Sequence, residues 1–185
     1  MKLRIKYFEG ATKLKKITKG NWIDVYAAKD VFVPLNEKEL IPLGFALELP
    51  KGYEGHLLPR SSTFKTWGVI QTNGEGIIDD TYIGDNDQWH MPVFCLESKC
   101  RMYSRDELNK RINNGELDVY AITRLAAQGL VDSFNPKGTW IRKGDKIAQF
   151  RIQEVMPEIE FSEVDYFGNR DRGGFGSTGK CTTDI

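Results

Sequence analysis

The sequence predicts an all-β protein, a barrel or a sandwich, and two observations support this prediction. Short runs with alternating apolar residues recur along the 185 residues, and glycine, proline and asparagine separate them. FALEL (45–49) and KIAQFRI (146–152) show the alternation, and in the second run Ala148, Phe150 and Ile152 share one face. A chain of this length with 40% hydrophobic residues can bury one sizeable core.

The first predicted strand is KLRIKY, residues 2–7, in which cations at 2, 4 and 6 alternate with apolar residues. This period indicates a half-buried strand whose exposed lysines discourage edge-to-edge pairing. GIIDDTYIGD (76–85) is expected to form a tight β-hairpin. The remaining strand-like runs are VYAAKDVFVP (25–34), GVIQTN (68–73), MPVFCLES (91–98) and EIEFSEV (158–164).

Residues 104–131 depart from this pattern and carry helical signals. Ser104 and Glu107 form a capping-box pattern, and Asn114 followed by Gly115 supplies a stop. We therefore expect a mostly helical insertion between two strands of the β core.

Charge and cysteine content argue against several classes of protein. Lys+Arg and Asp+Glu both number 26, so no overall field favours nucleic acid or a membrane. The three cysteines include no CxxC pair, which argues against a disulfide framework or a zinc site. His56 and His90 match no metal motif and are interpreted as structural or surface residues. Without a visible signal peptide or long apolar run, the expected location is the cytoplasm.

The first candidate for chemistry is PRSS, residues 59–62. Arg60 offers a planar cationic fork, and Ser61 and Ser62 offer two small donors, a combination that suits phosphate oxygens. The triplet also occurs by chance in many proteins, so an ordinary turn is the alternative.

The second candidate is the predicted hairpin and the residues before it. Asn73 and Gly76 allow a close approach of the backbone, and Asp79 could act as a general base or accept from a sugar hydroxyl. Tyr82 could supply a flat face against a sugar or base. The alternative is a turn aspartate beside a half-buried tyrosine.

The third candidate is the glycine-rich stretch RDRGGFGSTG, residues 170–179. It could close over an anionic ligand and stack Phe175 on a base, and a disordered end is the alternative. It is neither a P-loop nor a dinucleotide-binding fingerprint, because the required spacing and flanking elements are absent from the sequence.

The order of these motifs resembles that of the homotrimeric dUTPase family, and most of all the staphylococcal-phage type. The resemblance covers the chain except for the insertion. Five motifs carry it: WIDVYAA (22–28), PRSSTFKTWG (59–68), NGEGIIDDTYIGD (73–85), KGDKIAQF (143–150) and RDRGGFGSTG (170–179).

The resemblance implies a distorted jelly-roll β-barrel that assembles as a homotrimer with shared active sites. Residues 1–99 and 139–168 would form the dUTPase-like β core, and 100–138 the mostly helical insertion. Residues 169–185, called the strap below, would close over the active site.

The resemblance also implies an activity, dUTP diphosphatase, which hydrolyses dUTP to dUMP and pyrophosphate with Mg²⁺. Asp79 would activate the attacking water, Gln149 would contact the α-phosphate or that water, and Ser62 would stabilise the leaving oxygen. Asp24 would bind Mg²⁺ through water. The residues implied to contact the substrate are Arg60, Ser61, Ser62, Asn73, Gly76, Ile78, Tyr82, Arg170, Phe175, Gly176, Ser177 and Thr178.

Two alternatives remain open at this point. A dCTP deaminase of the same fold shares the RSS element, but that family places a glutamate after the hairpin, where this chain has Trp89. The insertion at 100–138 is either a buttress or a surface for a repressor protein, since a similar insertion occurs in phage dUTPases that relieve repression of pathogenicity islands. In that case the chain would be a phage enzyme working in the host-cell cytoplasm.

Overall fold

Short antiparallel β-strands form almost all of the regular structure in the described part of the chain. The computed structural model describes residues 1–15, 17, 20–100, 113–114, 131–132 and 135–171. The chain divides into two units, Met1–Val155 and Met156–Ile185. Within the described residues, every strand lies in the first unit.

One short helix, α1 (Thr63–Trp67), interrupts the strands of the described residues. The strands are β1 (Arg4–Tyr7), β2 (Ile23–Tyr26), β3 (Val31–Pro34), β4 (Lys38–Pro42), β5 (Phe45–Glu48), β6 (Tyr53–Pro59), β7 (Val69–Gln71), β8 (Gly76–Ile78), β9 (His90–Cys95), β10 (Val131–Asp132), β11 (Asn135–Pro136), β12 (Gly138–Ile141) and β13 (Lys146–Glu154).

The strands pair into two larger sheets and three two-stranded ladders, all antiparallel. A four-stranded sheet has the order β2-β13-β6-β8, and a three-stranded sheet has the order β4-β9-β7. The smaller ladders join β1 to β5, β3 to β12 and β10 to β11. Strands β3, β4 and β6 each end at a proline, which has no N–H to extend a ladder.

The core lies between these sheets and is centred on three aromatic rings. Trp89 is 1% exposed and its ring centroid lies 5.2 Å from those of Phe45 and Phe150. A Cβ atom on Gly55 would collide with the Trp89 ring, so only glycine lets β6 approach it. Trp89 therefore fixes the end of the loop that follows β8 against the four-stranded sheet.

The predicted all-β class is confirmed. FALEL and KIAQFRI form β5 and β13, and Ala148 and Phe150 are buried side by side as the alternation predicts. Strand β1 forms as well, but Ile5 is 37% exposed, so the first run is buried less than its alternation suggests.

Two local predictions are wrong. The 76–85 stretch does not fold back on itself: β8 ends at Ile78 and pairs with β6, while β9, the next strand, pairs with β4 and β7. The reason is local, because Asp79 accepts two hydrogen bonds from Thr81 and turns the chain out of the ladder. EIEFSEV also forms no strand, and the described residues 156–171 contain none.

The predicted helical insertion lies largely outside the described residues. Of residues 100–138, the structure describes 100, 113–114, 131–132 and 135–138, and these include the short β10–β11 ladder. In the part of the chain that is described, no helix is long and apolar enough to cross a bilayer.

Candidate active site

One cluster of predicted site residues is brought together by the four-stranded sheet. Gln149 on β13 stands opposite Asp24 on β2 and Leu58 on β6, so three distant segments meet at one level of the sheet. Arg60 directly follows β6, and its Nε lies 2.9 Å from Asp24 Oδ1. Lys146 Nζ lies 2.9 Å from the other oxygen of the same carboxylate. We call Asp24, Arg60, Lys146 and Gln149 the strand cluster.

The turn that carries Arg60 is fixed by one buried threonine. Thr63 is 1% exposed, and its hydroxyl donates to the Ile147 carbonyl at 2.8 Å while accepting from the Arg60 N–H at 2.9 Å. These bonds hold the start of α1 against β13. Ser61 is exposed and Ser62 half-buried, and neither hydroxyl makes a hydrogen bond within the described residues. Both hydroxyls are therefore available to a ligand beside the Arg60 guanidinium.

A second group of predicted residues lines an open pocket of about 390 Å³ at the end of β8. We call it the loop pocket, because most of it is built by the segments on either side of β8. Its back wall is apolar and includes Leu57 and Trp89. The predicted residues among its lining are Asn73, Gly76, Ile78, Asp79 and Tyr82.

Asp79 is fully exposed at the rim of the loop pocket and is held by its own turn. The side chain and backbone of Thr81 both donate to Asp79 Oδ1, the backbone nitrogen from 2.8 Å. The hydroxyl of Thr81 above all, and then its N–H, lower the pKa of the Asp79 carboxyl below its usual value. This carboxylate therefore stays ionised at neutral pH.

Long-range hydrogen bonds tie the loop pocket to the rest of the first unit. Asp80 accepts from the Gly52 N–H at 2.7 Å, and Gln88 accepts from the Gly44 N–H at 3.0 Å. Lys6 on β1 donates to the Asp85 carbonyl at 2.7 Å. The loop is thus irregular but anchored at several points.

Within one chain, the strand cluster and Asp79 lie at opposite ends of β6. Gly76 stands opposite Leu57, and Ile78 stands opposite Gly55, so the chain runs away from Arg60 as it approaches Asp79. At roughly 3.3 Å per residue, six strand positions separate the two levels by about 20 Å. In one copy of the chain, Asp79 and Arg60 are therefore far apart along β6.

The strap, residues 169–185, is described only as far as residue 171. Arg170 is described and exposed, but it belongs to the second unit, Met156–Ile185. Phe175, Gly176, Ser177 and Thr178 lie outside the described residues.

Magnesium can be supported here by one carboxylate but not by a dedicated protein cage. In the described segments, no three His, Cys, Asp or Glu side chains gather as a metal site. Asp24 supplies a single carboxylate beside cations, which fits an ion that arrives with a phosphate chain and keeps its water shell. The donor set therefore fits the predicted indirect role of Asp24.

Sequence reasoning missed two residues of the site, Lys146 and Gln71. Lys146 completes the ion-pair cluster, and a β-bulge between Lys146 and Ala148 changes the register there, which alternation alone does not show. Gln71 is a polar residue at a buried position of β7, and its place in an otherwise apolar run was the available signal. His56 lies 2.9 Å from Glu54 and 2.7 Å from Glu75, and His90 lines the loop pocket.

The antiparallel β fold carries a cationic cluster and an ionised carboxylate, a combination that suits a class of proteins acting on phosphate-bearing ligands. A sequence model of the dUTPase family matches residues 22–87. The SPbeta prophage-derived deoxyuridine 5′-triphosphate nucleotidohydrolase of Bacillus subtilis (strain 168) is 42% identical over 180 residues, covering 97% of this chain and 99% of the relative. The chain belongs to the dUTPase family.

Solved phage structures share the fold. The dUTPase of phage phi11 of S. aureus matches with a TM-score of 0.61 at 23% identity, covering 91% of this chain and all of that one, and its structure describes the coordination of a structural Mg(II) ion. The dUTPase of Staphylococcus bacteriophage 80alpha, solved with dUPNHPP, matches with a TM-score of 0.65 at 19% identity over 97% of this chain and 99% of the phage chain. The jelly-roll class predicted from the sequence is thereby confirmed.

Proposed function

We propose that the protein hydrolyses dUTP to dUMP and pyrophosphate with Mg²⁺, using active sites completed by neighbouring copies of the chain. The observation that supports this most directly is the separation of the strand cluster from Asp79 along β6, in a chain 42% identical to a dUTPase over almost its full length. Hydrolysis of a phosphoanhydride requires a positioned nucleophile and neutralised phosphate charge. Asp79 in the loop pocket would supply the first and the strand cluster the second.

The loop pocket would bind the deoxyuridine. Its apolar back wall suits the face of a pyrimidine, and the exposed ring of Tyr82 would pack beneath the deoxyribose and exclude a 2′-hydroxyl. Asn73 and the backbone at Gly76 and Ile78 would read the edge of the base. Asp79 would orient the attacking water and hold the 3′-hydroxyl as a hydrogen-bond acceptor.

The strand cluster of another copy would bind the triphosphate. Arg60 would contact the phosphate chain with its planar fork, joined by the free hydroxyls of Ser61 and Ser62. Ser62 would stabilise the leaving oxygen, and Gln149 would donate to the α-phosphate or to the attacking water. In the described structure Gln149 Nε2 donates to the Pro59 carbonyl at 3.3 Å, a long bond that a phosphate oxygen could replace.

Asp24 would hold Mg²⁺ through its water ligands. When bound, the ion supplies charge neutralisation on the phosphates. Asp24 now pairs with Arg60 and Lys146, so nucleotide binding would redistribute these three charges. The phosphates would take over the two cations and leave the carboxylate free to accept from metal-bound water.

We propose the homotrimer with shared sites as the assembly that joins the two halves. A closed three-fold ring lets the loop pocket of each copy meet the strand cluster of the next. The strap, 169–185, would then close over the joined site, with Phe175 on the base and Arg170, Gly176, Ser177 and Thr178 near the γ-phosphate. The preceding segment carries Phe161 and Phe167 at 90% and 85% exposed, which another chain would be expected to cover.

Family membership and one buried ring favour this reaction over dCTP deamination. Trp89, which stands where the deaminases place a catalytic glutamate, is a core residue packed against Phe45 and Phe150. A panel of dUTP, UTP, dCTP and dTTP assayed for ammonia and pyrophosphate tests the choice. Ammonia released from dCTP would favour the deaminase.

A second function, control of a repressor through the insertion at 100–138, is supported by the phage relatives. The 80alpha structure is described as showing that phage dUTPases control transfer of virulence genes. A similar role here would use the insertion as the contact surface. Deleting residues 101–137 should abolish repressor binding and leave dUTP hydrolysis; retained binding would remove the insertion from the contact.

Mixing two inactive variants tests the shared site. Arg60→Gln damages the strand cluster and Asp79→Asn the loop pocket, so each alone should be nearly inactive. After unfolding and refolding together in equal amounts, about a quarter of the sites should combine an intact half from each chain. Recovery of about a quarter of wild-type pyrophosphate release is expected. No recovery, with mixed trimers shown by mass spectrometry, would place both residues of each site in one chain.

A further inference from the structure

A buried glutamine lies directly behind the loop pocket. Gln71 is 6% exposed on β7, opposite the fully buried Val93 of β9. Together with Thr63 and Thr139 it is one of three buried polar residues in the described residues. A buried amide is tolerated where its hydrogen bonds are needed, so the contacts of Gln71 indicate what it does.

The hydrogen bonds of Gln71 fix its own orientation. Its Nε2 lies 3.1 Å from the Leu57 carbonyl oxygen and 2.9 Å from Asn73 Oδ1. A backbone carbonyl can only accept, so the atom of Gln71 that faces Leu57 must be the nitrogen. The second N–H of that nitrogen then requires an acceptor, and the Asn73 atom it faces must be the oxygen.

The orientation of Asn73 follows from the same chain of bonds. With Oδ1 committed to Gln71, the donor nitrogen Nδ2 is left to face outward. That Nδ2 lies beside Gly76, and both Asn73 and Gly76 line the loop pocket. Asn73, itself exposed, therefore presents a donor to the pocket rather than an acceptor.

The arrangement leaves a polar atom unpaired. Gln71 Oε1 is buried and has no hydrogen-bond partner among the described residues. A leucine would fill this position of β7 without burying an unpaired oxygen. Gln71 therefore lowers the stability of the fold at its unpaired Oε1. Such a cost is expected of a residue whose role is to orient a neighbouring side chain.

We propose that Gln71 is a positioning residue that locks the Asn73 amide with its nitrogen toward the base, and thereby selects a pyrimidine with a carbonyl oxygen over one with an amino group. This inference rests on the proposed binding of deoxyuridine in the loop pocket. Uracil offers the acceptor O4 at the position where cytosine offers the donor N4 amino group. An Asn73 N–H fixed at that point would donate to O4 of uracil. Against cytosine it would face the N4 amino group, so both donors would lack an acceptor.

The primary test is Gln71→Met, which keeps an unbranched side chain of similar length and removes both donors. The Asn73 amide is then free to rotate, so the preference for dUTP over dCTP, measured as the ratio of kcat/KM values, should fall about tenfold, the worth of one oriented hydrogen bond. KM for dUTP should rise more than kcat falls, because base binding is not itself the chemical step. Val93→Ala is the matched control: it weakens the same strand pair and should leave the ratio unchanged.

A double-mutant cycle separates positioning from stability. If Gln71 acts through Asn73, then Gln71→Met should not lower the ratio further in an Asn73→Ala background. Asn73→Asp is a second variant at an exposed site. Gln71 would bind one carboxylate oxygen, the other would face the base as an acceptor, and the preference should shift toward dCTP.

The possible results distinguish a failure of the role of Gln71 from a failure of the proposed function. An unchanged ratio in Gln71→Met, an equal loss in both backgrounds, or an unshifted preference in Asn73→Asp would each overturn the role of Gln71. Wild-type protein that releases no pyrophosphate from dUTP would instead overturn the proposed function. The wild-type assay is therefore run first, and the variants are compared with it.

Discussion

The strand cluster and the loop pocket place their functional groups in different ways. Asp24 and Gln149 occupy neighbouring positions of paired strands, and the ladder between β2 and β13 sets their spacing. Asp79 and Tyr82 lie on an irregular loop, and Asp79 is set by contacts with its own turn. The first arrangement is a property of the sheet, and the second is a property of a few side chains.

This difference indicates how the loop pocket and the strand cluster should respond to substitutions. The charges of the strand cluster are paired with one another, so the cluster carries no isolated charge when no phosphate is bound. Asp79 is exposed and stays ionised, and within the described residues it accepts only from its own turn. Substitutions in the loop pocket should therefore affect the chemical step more than folding. Substitutions in the strand cluster should affect how the charge of the bound phosphates is neutralised.

The largest expected effect is in the loop pocket, at Asp79→Asn. The amide cannot take a proton from water, so turnover of dUTP should fall by about 10²–10⁴-fold, the usual value of a positioned general base. Because Asp79 is fully exposed, the melting temperature should hardly move. Near-wild-type turnover would remove Asp79 from the role of base.

Asp85→Asn is the matched control for that variant. Asp85 lies in the same loop, and its main contact with Lys6 uses the backbone carbonyl, which the substitution keeps. It should retain most of the activity. A loss as large as that of Asp79→Asn would mean that any charge change in the loop disturbs the site.

The sequence predicted the strand-built half better than the loop-built half. The alternation in KIAQFRI places Ala148 and Phe150 in the core, and it therefore also places Gln149 on the opposite face, where β2 brings Asp24. A period of two constrains which face each residue occupies, and the neighbouring strands then complete the site.

The loop could not be derived in this way. The stretch 76–85 was expected to form a tight β-hairpin, but the Asp79–Thr81 bonds redirect the chain after Ile78. EIEFSEV has the period of a strand, yet it forms none and its residues are exposed. Periodicity shows that a segment can pair, but pairing also needs a free edge, which the sequence does not reveal. The roles of the site residues came from the family resemblance rather than from local pattern.

A smaller effect is expected in the strand cluster, at Asp24→Asn. Water-mediated metal contacts of this kind typically change metal affinity by about 10–100-fold when removed. The Mg²⁺ concentration for half-maximal rate should rise by that factor. The fold should survive, since ion pairs at the surface contribute only about 0–1 kcal/mol.

Lys146→Met distinguishes the carboxylate from its ion pair. It removes one partner of Asp24 and leaves the acid in place. The Mg²⁺ requirement should then stay near the wild-type value. An equal rise in both variants would assign the effect to the network of paired charges rather than to the Asp24 carboxylate itself.

The smallest effect, and the sharpest test of how the loop sets its carboxylate, is expected at Thr81→Val. The Thr81 hydroxyl is the main cause of the lowered pKa of Asp79, and the Thr81 N–H, which remains, is the second. Losing the hydroxyl therefore raises this pKa toward its usual value, and the acid limb of the kcat/KM profile for dUTP should move to higher pH. At neutral pH the carboxylate is ionised in both proteins, so the rate there should change little. Thr81→Ser keeps the donor and should keep the wild-type limb. An acid limb that does not move in Thr81→Val would mean that some other group limits the reaction at low pH, because the hydrogen bond removed is the one that most lowers the pKa of Asp79.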